Sequence, residues 1–316
     1  MANSNLLIIH QGALGDVVLT FPAIIALRQK FNHVDILCQS QVGKLAAHLG
    51  LVEKGYPLES AYFATLFADQ MDNKIRDLLG TYARILVFSF SSGLENTINQ
   101  KTDCPCLRIP PRPPAREKTH VAEFIIQTLE TGGLIEAADS NDVVSSWHRT
   151  EICGAGRPIA TSKIIIHPGS GSIRKRWPLT NFLDLADRLE KQGLQPMFVC
   201  GPAEPDLIAE IRNRDRQVHT FSELTDLVDG LESTSAYIGN DSGVSHLAAF
   251  LGIPTVVIFG PADPVRWKPL GSRVQIVHPE LDCQPCFEIE PDNCALPVCL
   301  TDATLESVLT AFDQVY

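Results

Sequence analysis

The chain has 316 residues and a formal net charge of −11, with 26 basic and 37 acidic side chains. That length exceeds the usual single core, so two domains are expected. Residues 1–160 carry 14 Lys+Arg against 16 Asp+Glu and the remainder 12 against 21, an acidic second half that argues against generic nucleic-acid binding, which works by neutralising phosphates. Nine cysteines, with no charged-then-apolar leader at the start, point to free thiols in a reducing, cytoplasmic setting. The first apolar run, 6–9, is far too short to span a membrane.

Apolar runs at 6–9, 34–38, 85–88, 164–166, 196–200, 236–238 and 255–259 read as strands, mostly separated by helical patterns. Such alternation predicts an α/β protein with parallel sheets covered on both faces. The first run feeds a loop, Gln11-Gly12-Ala13-Leu14-Gly15-Asp16, and a helix that opens between Asp16 and Pro22. Its glycine spacing is not the dinucleotide fingerprint, which needs G-x-G-x-x-G. Asp16 falls at the carboxyl end of the first strand, where open α/β sheets carry their chemistry; an N-cap is the plainer reading. The Pro/Arg stretch Arg108–Arg116 reads as an extended loop, and a helix resumes near His120. The domain boundary is expected around Gly154–Ser162, giving domains 1–157 and 158–316.

In the second half, Lys163–His167 leads into Pro168-Gly169-Ser170-Gly171-Ser172 and then Arg174-Lys175-Arg176. Glycines admit close backbone approach, serines donate hydrogen bonds, and cations neutralise charge, which suits a phosphate. A helical stripe from Leu179 through Phe182, Leu185, Ala186 and Leu189 follows Pro178. Further on, Gly239-Asn240-Asp241-Ser242-Gly243 joins a strand to an alanine-rich helix containing His246. A helix N-terminus with its positive dipole end suits a diphosphate; an ordinary turn capped by Asp241 or Ser242 is the alternative. Thr304–Tyr316 reads as a final helix. Cys283 and Cys286 have zinc-ligand spacing and Cys294 and Cys299 complete a set of four, but free buried thiols are expected. No Asp-x-Asp pair stands at a strand end to chelate a metal-bound diphosphate, so no metal is expected.

Taken together, these segments resemble the bacterial heptosyltransferases of glycosyltransferase family 9. The resemblance rests on Leu14-Gly15-Asp16-Val17 with Pro22, on His167-Pro168-Gly169 with Lys175-Arg176-Trp177-Pro178, and on Asn240-Asp241-Ser242-Gly243 with His246. Gly260-Pro261-Ala262-Asp263-Pro264 with Arg266-Trp267 completes it. Two positions depart from the family pattern: His10, where arginine is common, and 87–92, where an acidic residue is common.

That resemblance implies a GT-B fold, two Rossmann-like domains facing across a cleft, with the final helix packing back on the first. It implies an inverting transferase moving heptose from ADP-heptose onto a lipopolysaccharide core. Asp16 matches the proposed base and Lys175 the phosphate-binding cation. Gly169, Ser170, Ser242, Gly243 and His246 are assigned to the diphosphate and Asp241 to the donor sugar. Gly12, Gly15, Arg112 and Arg116 are assigned to the acceptor side, with transient contact at the inner membrane surface. No cofactor beyond the donor is expected. A nucleotide-sugar epimerase and a non-catalytic nucleotide-sugar binder are the alternatives; the first lacks a second acid/base group beside Asp16, and retention of Asp16 and Lys175 disfavours the second.

Overall fold

A computed structural model describes residues 4–67, 71–136, 161–279, 285–289 and 298–316. The boundary expected around 154–162 falls mostly outside the described residues, as do Cys283 and Cys294. Backbone contacts divide the chain into two units, Met1–Pro113 with Val121–Ser146, and Pro114–His120 with Trp147–Tyr316. The segment Pro114–His120 thus groups with the second unit, although the sequence placed the whole Pro/Arg stretch in the first.

The first unit holds strands β1 (Asn5–His10), β2 (His33–Cys38), β3 (Lys54–Pro57), β4 (Arg84–Phe88) and β5 (Cys106–Ile109). They form one parallel sheet in the order β3-β2-β1-β4-β5. Helices α1 (Leu14–Arg28), α2 (Ser40–His48), α3 (Asn73–Leu79), α4 (Gly93–Lys101) and α5 (Val121–Thr131) connect and cover it. The central strand β1 is apolar from Leu6 to Ile9 because both its faces are covered, and these four residues are 0–1% exposed. Helix α1 is buried nearly all round, from Val17 to Ile24 with Ala26 and Leu27. It starts at Leu14, before the expected Asp16–Pro22 interval, and continues through Pro22. At the edge, β3 passes so close to α2 that a Cβ on Gly55 would sit 2.4 Å from the Gly43 carbonyl carbon.

The second unit holds β6 (Lys163–His167), β7 (Gln195–Cys200), β8 (Val218–Thr220), β9 (Ala236–Asn240), β10 (Thr255–Ile258) and β11 (Val274–Val277). These too are parallel, in the order β11-β10-β9-β6-β7-β8. Its helices are α6 (Leu179–Lys191), α7 (Pro205–Arg212), α8 (Leu224–Glu232), α9 (Gly243–Phe250), α10 (Pro264–Trp267), α11 (Cys299–Asp302) and α12 (Leu305–Val315). The stripe on α6 buries Leu179, Phe182, Leu185, Ala186 and Leu189 as its spacing predicts. The final helix α12 packs its buried residues, Val308, Ala311, Phe312 and Val315, into the core of the second unit, against β10, β11 and α6. Trp177 is buried in that core and its indole N–H donates to the Ala303 carbonyl at 2.7 Å.

In each sheet the strand order reverses once, between β1 and β4 and between β6 and β9. Open α/β sheets bind ligands outside the carboxyl ends of the strands at such a reversal. The loops after β1 and β4 therefore define one candidate locus and the loops after β6 and β9 another. The six cysteines in the described residues are free thiols, five of them buried. Among the described residues no helix is long and apolar enough to cross a membrane, and no His/Cys/Asp/Glu cluster is placed to hold a metal.

Candidate functional site

In the second unit the loops after β6 and β9 are tied together at the strand reversal. Asn240, fully buried at the end of β9, donates from Nδ2 to the Pro168 carbonyl (2.8 Å) and accepts at Oδ1 from the Trp177 N–H (2.9 Å). Ser170 adds a second tie, its hydroxyl donating to the Asp241 carbonyl at 2.9 Å. That hydroxyl therefore joins the two loops instead of standing open as a donor to an anion. Ser242 is the N-cap of α9 and its hydroxyl accepts from the Ser245 N–H. Ser245 also bonds Tyr237 across the turn at 3.0 Å. With the turn held this way, the first-turn N–H groups of Gly243 and Val244 have no intrahelical acceptor and project from the positive end of the helix.

The three adjacent cations separate into three environments. Arg176 is paired with Asp206 at 2.9 Å and also donates to the Ser170 carbonyl. Arg174 reaches the Cys286 thiol and lies near the Phe287 ring. Lys175 alone of the three pairs with the β9 loop: its Nζ is 2.7 Å from Asp241 Oδ2 and 4.1 Å from the centre of the Phe287 ring. Asp241 is buried, so this carboxylate and ammonium interact with little water between them.

His246 lies one turn into α9, 4% exposed, and its Nδ1 makes no hydrogen bond among the described residues. Burial holds its pKa down to about 3, with the charges of His120 and Lys175 adding to the effect, so the ring is neutral. His120 is buried as well and bonds the Lys268 carbonyl at 2.9 Å.

Beneath the β6 loop lies a buried pair that the sequence did not single out. Glu204 accepts the Gly201 N–H at 2.7 Å and stands 3.6 Å from His167 Nε2. Burial pushes the Glu204 carboxyl up, but the His167 hydrogen bond and charge, the Gly201 amide and Arg176 outweigh it and hold the pKa below its ordinary value. A Cβ on Gly169 would fall 1.6 Å from Glu204 Oε1, so only glycine fits above this carboxylate. Glu204 and Phe287 lie far from the glycine loops in sequence and carry no periodic or motif signal.

In the first unit, Asp16 is at the third position of α1 and its Oδ2 accepts the Ala13 N–H at 3.1 Å. It is therefore not the N-cap, which is Ala13. His10 fills the space behind the loop. Its Nδ1 accepts the Gly12 N–H (3.0 Å), leaving the ring proton on Nε2 to reach Thr20 Oγ1 (3.3 Å), whose hydroxyl donates to the Asp16 carbonyl (2.9 Å). The imidazole also stacks on Phe88 of β4 at 5.1 Å, and burial lowers its pKa to about 4. A Cβ on Gly12 would strike both His10 and Asp16, at 2.6 and 2.7 Å. Gly15 lies in the first turn of α1. The acceptor-side arginines are divided: Arg112, in the first unit, lies over the exposed Phe90 ring at 5.2 Å, whereas Arg116 is exposed on the segment grouped with the second unit.

The model of glycosyltransferase family 9 (heptosyltransferase) matches residues 114–295, more than half of the chain. The chain belongs to glycosyltransferase family 9. Lipopolysaccharide heptosyltransferase 3 of Escherichia coli K12 is similar to this family 9 protein, 29% identical over 171 residues that cover 49% of this chain and 48% of that one. The chain spans about half the length of the curated relatives it matches. Among solved structures, a family 9 glycosyl transferase from Veillonella parvula has a TM-score of 0.78 at 17% identity, covering 99% of this chain and 97% of that one. Escherichia coli heptosyltransferase WaaC with ADP has a TM-score of 0.68 at 15% identity, covering 99% and 100%. These likenesses establish the GT-B-like fold with its two parallel sheets. The match to the family model includes the whole Lys175–Asp241 locus.

Proposed function

We propose that the chain is an inverting glycosyltransferase that moves heptose from ADP-heptose onto a sugar of a lipopolysaccharide core. The observation that carries this reading is the Lys175–Asp241 pair, set beside the N-terminus of α9 at the strand reversal of the second sheet. A departing diphosphate needs positive charge, and Lys175 with the Gly243 and Val244 amides supplies it without a metal. Neutral His246 adds a ring nitrogen able to hydrogen-bond a phosphate oxygen, and Asp241 meets the donor sugar while orienting Lys175.

Asp16 is the base of this scheme. It takes the proton of the acceptor hydroxyl as that oxygen bonds the anomeric carbon, and the carbon–oxygen bond to the diphosphate breaks. Attack opposite the leaving group inverts the anomeric centre. His10 and Thr20 act on Asp16 through its backbone and are positioning residues. The acceptor is a lipid-linked oligosaccharide met at the inner face of the membrane by a cytoplasmic enzyme, with Arg112 and Arg116 facing its anionic groups.

The test is a mass-spectrometric assay with a panel of nucleotide sugars and a core oligosaccharide acceptor, followed by NMR of the new anomeric centre. Transfer of heptose with inversion is expected. An isomerised donor without transfer would make the protein an epimerase, and an unchanged donor would make it a binding protein.

A further inference from the structure

Phe287 lies far from both glycine loops in the sequence, yet its ring centre is 4.1 Å from Lys175 Nζ. A cation within about 6 Å of a ring centre is attracted to the negative face of the ring. Arg174 meets the same ring at 5.9 Å while its Nη2 reaches the Cys286 thiol at 3.7 Å, so the lysine is the closer of the two cations. The Lys175 side chain is 19% exposed and its partner Asp241 only 5%. Shielding from water of this kind strengthens the attraction between ammonium and ring.

The ring is held by contacts that do not involve the lysine. The Phe287 N–H donates to the Pro261 carbonyl at 3.0 Å. Its side chain packs against the buried cluster of Val257, Phe259 and Ala262, as does Trp267. The next residue, Glu288, accepts from Arg266 Nε at 2.9 Å and from Trp267 Nε1 at 2.8 Å. These contacts fasten Phe287 to the loop and short helix after β10. A third loop of the second sheet therefore reaches the Lys175–Asp241 pair.

A neutral ring suits this position better than a second carboxylate. Another carboxylate would hold the ammonium as firmly, but together with Asp241 it would leave the locus net negative and repel a diphosphate. The ring attracts the ammonium through its quadrupole and carries no net charge. We infer that Phe287 is a positioning residue of the donor site, its face holding the Lys175 ammonium between the β6 and β9 loops without cancelling the charge. The inference rests on the transferase reading above for the identity of the anion. In that scheme Phe287 touches no reacting atom and acts through Lys175.

Calorimetry of ADP binding to the intact protein tests this in a double-mutant cycle of Phe287→Leu and Lys175→Ala. Phe287→Leu is expected to weaken ADP binding by roughly 2- to 30-fold, the range of a cation–π contact from exposed to shielded. In the Lys175→Ala background the same substitution should change ADP affinity by less than about 2-fold. Phenylalanines with successively more ring fluorines, placed at 287, keep the ring's shape but drain negative potential from its face. ADP affinity should fall stepwise along that series, with thermal unfolding reporting that each protein remains folded. A flat series would make the ring mere packing and overturn the inference. So would an equal loss on Phe287→Leu with and without Lys175, which would mean that the ring meets the nucleotide directly. Wild-type protein that binds no ADP would overturn this inference and the transferase reading together. The heptose-transfer assay on the same samples separates the two. Transfer without coupling between Phe287 and Lys175 would overturn the role of Phe287 alone. Coupling in a protein that transfers no heptose would overturn the transferase reading and leave Phe287 positioning the lysine of a nucleotide site.

Discussion

Lys175 Nζ lies 2.7 Å from Asp241 Oδ2, joining the loop after β6 to the loop after β9 at the strand reversal of the second sheet. The neighbouring Arg174 and Arg176 point to other partners, so this one ammonium carries the positive side chain of the locus. Asp241 is buried and Phe287 covers the lysine from another side. In the proposed reaction this pair would fix the cation before the diphosphate arrives and so lower the ordering cost of binding.

Lys175→Ala is expected to weaken ADP binding by roughly ten- to a hundredfold, the equivalent of a charge-assisted contact of about 1.5–3 kcal/mol. Isothermal calorimetry of the variant measures this directly. Equal ADP affinity in Lys175→Ala and wild type would assign the anion to another cation, and Arg174→Ala would then show the loss.

Asp16→Asn keeps an oxygen that can accept the Ala13 N–H, so the loop should retain its shape. What it loses is the ability to take a proton. Turnover should fall by about 10²–10⁴-fold while ADP affinity stays unchanged. A variant transferring sugar at the wild-type rate would remove Asp16 from the chemistry.

Gly169→Ala sets a methyl group against the Glu204 carboxylate, which cannot retreat without releasing the Gly201 amide and His167. We expect a loss of about 1–3 kcal/mol in urea unfolding, the usual cost of overpacking. Adding Glu204→Ala makes room and should recover part of that loss. If the double variant is no more stable than Gly169→Ala, the strain lies elsewhere.

Stability should fall in mild acid because His10 is buried as a neutral ring with its pKa lowered to about 4. In the unfolded chain a histidine titrates near ~6.5. Between those values the unfolded state binds more protons than the native one, so stability present above the unfolded pKa is progressively lost as pH falls. The full shift corresponds to about 3 kcal/mol. His246, lowered to about 3 by burial, acts in the same direction. Urea midpoints measured at several pH values for wild type and His10→Asn check this, and the variant should show the shallower pH dependence.

Arg266 is 2% exposed and holds the outlying segment of the second unit. Its Nε donates to Glu288 at 2.9 Å and its Nη1 to the carbonyls of Pro114, at 2.9 Å, and Glu117. Arg266→Met leaves these acceptors without that donor and should cost about 3–5 kcal/mol. Lysine cannot reproduce the fork and should not rescue it. Thermal unfolding reads the cost, and faster amide exchange across Pro114–His120 would locate it. Unchanged exchange there would mean that other contacts hold the segment.

Seven strands were legible in the sequence, and they are the interior strands β1, β2, β4, β6, β7, β9 and β10. The four that escaped, β3, β5, β8 and β11, are the edges of the two sheets. An interior strand of a parallel sheet is covered on both faces and must be apolar throughout, as Ile164–Ile166 is. An edge strand such as Lys54-Gly55-Tyr56-Pro57 meets a weaker demand and can carry a proline, because one of its backbone sides needs no partner. The glycine loops, Asp16, Lys175 and the Asp241 turn were legible for a related reason. Backbone approach and helix starts demand particular residue types at adjacent positions, and adjacency survives in a linear string. The tertiary structure alone decided which of three consecutive cations meets Asp241, that Ser170 ties two loops, that Glu204 lies under Gly169, and that α12 belongs to the second core. Each of these depends on distances between side chains far apart in the chain, set by the order in which the strands lie in the sheet, and no local pattern encodes that order.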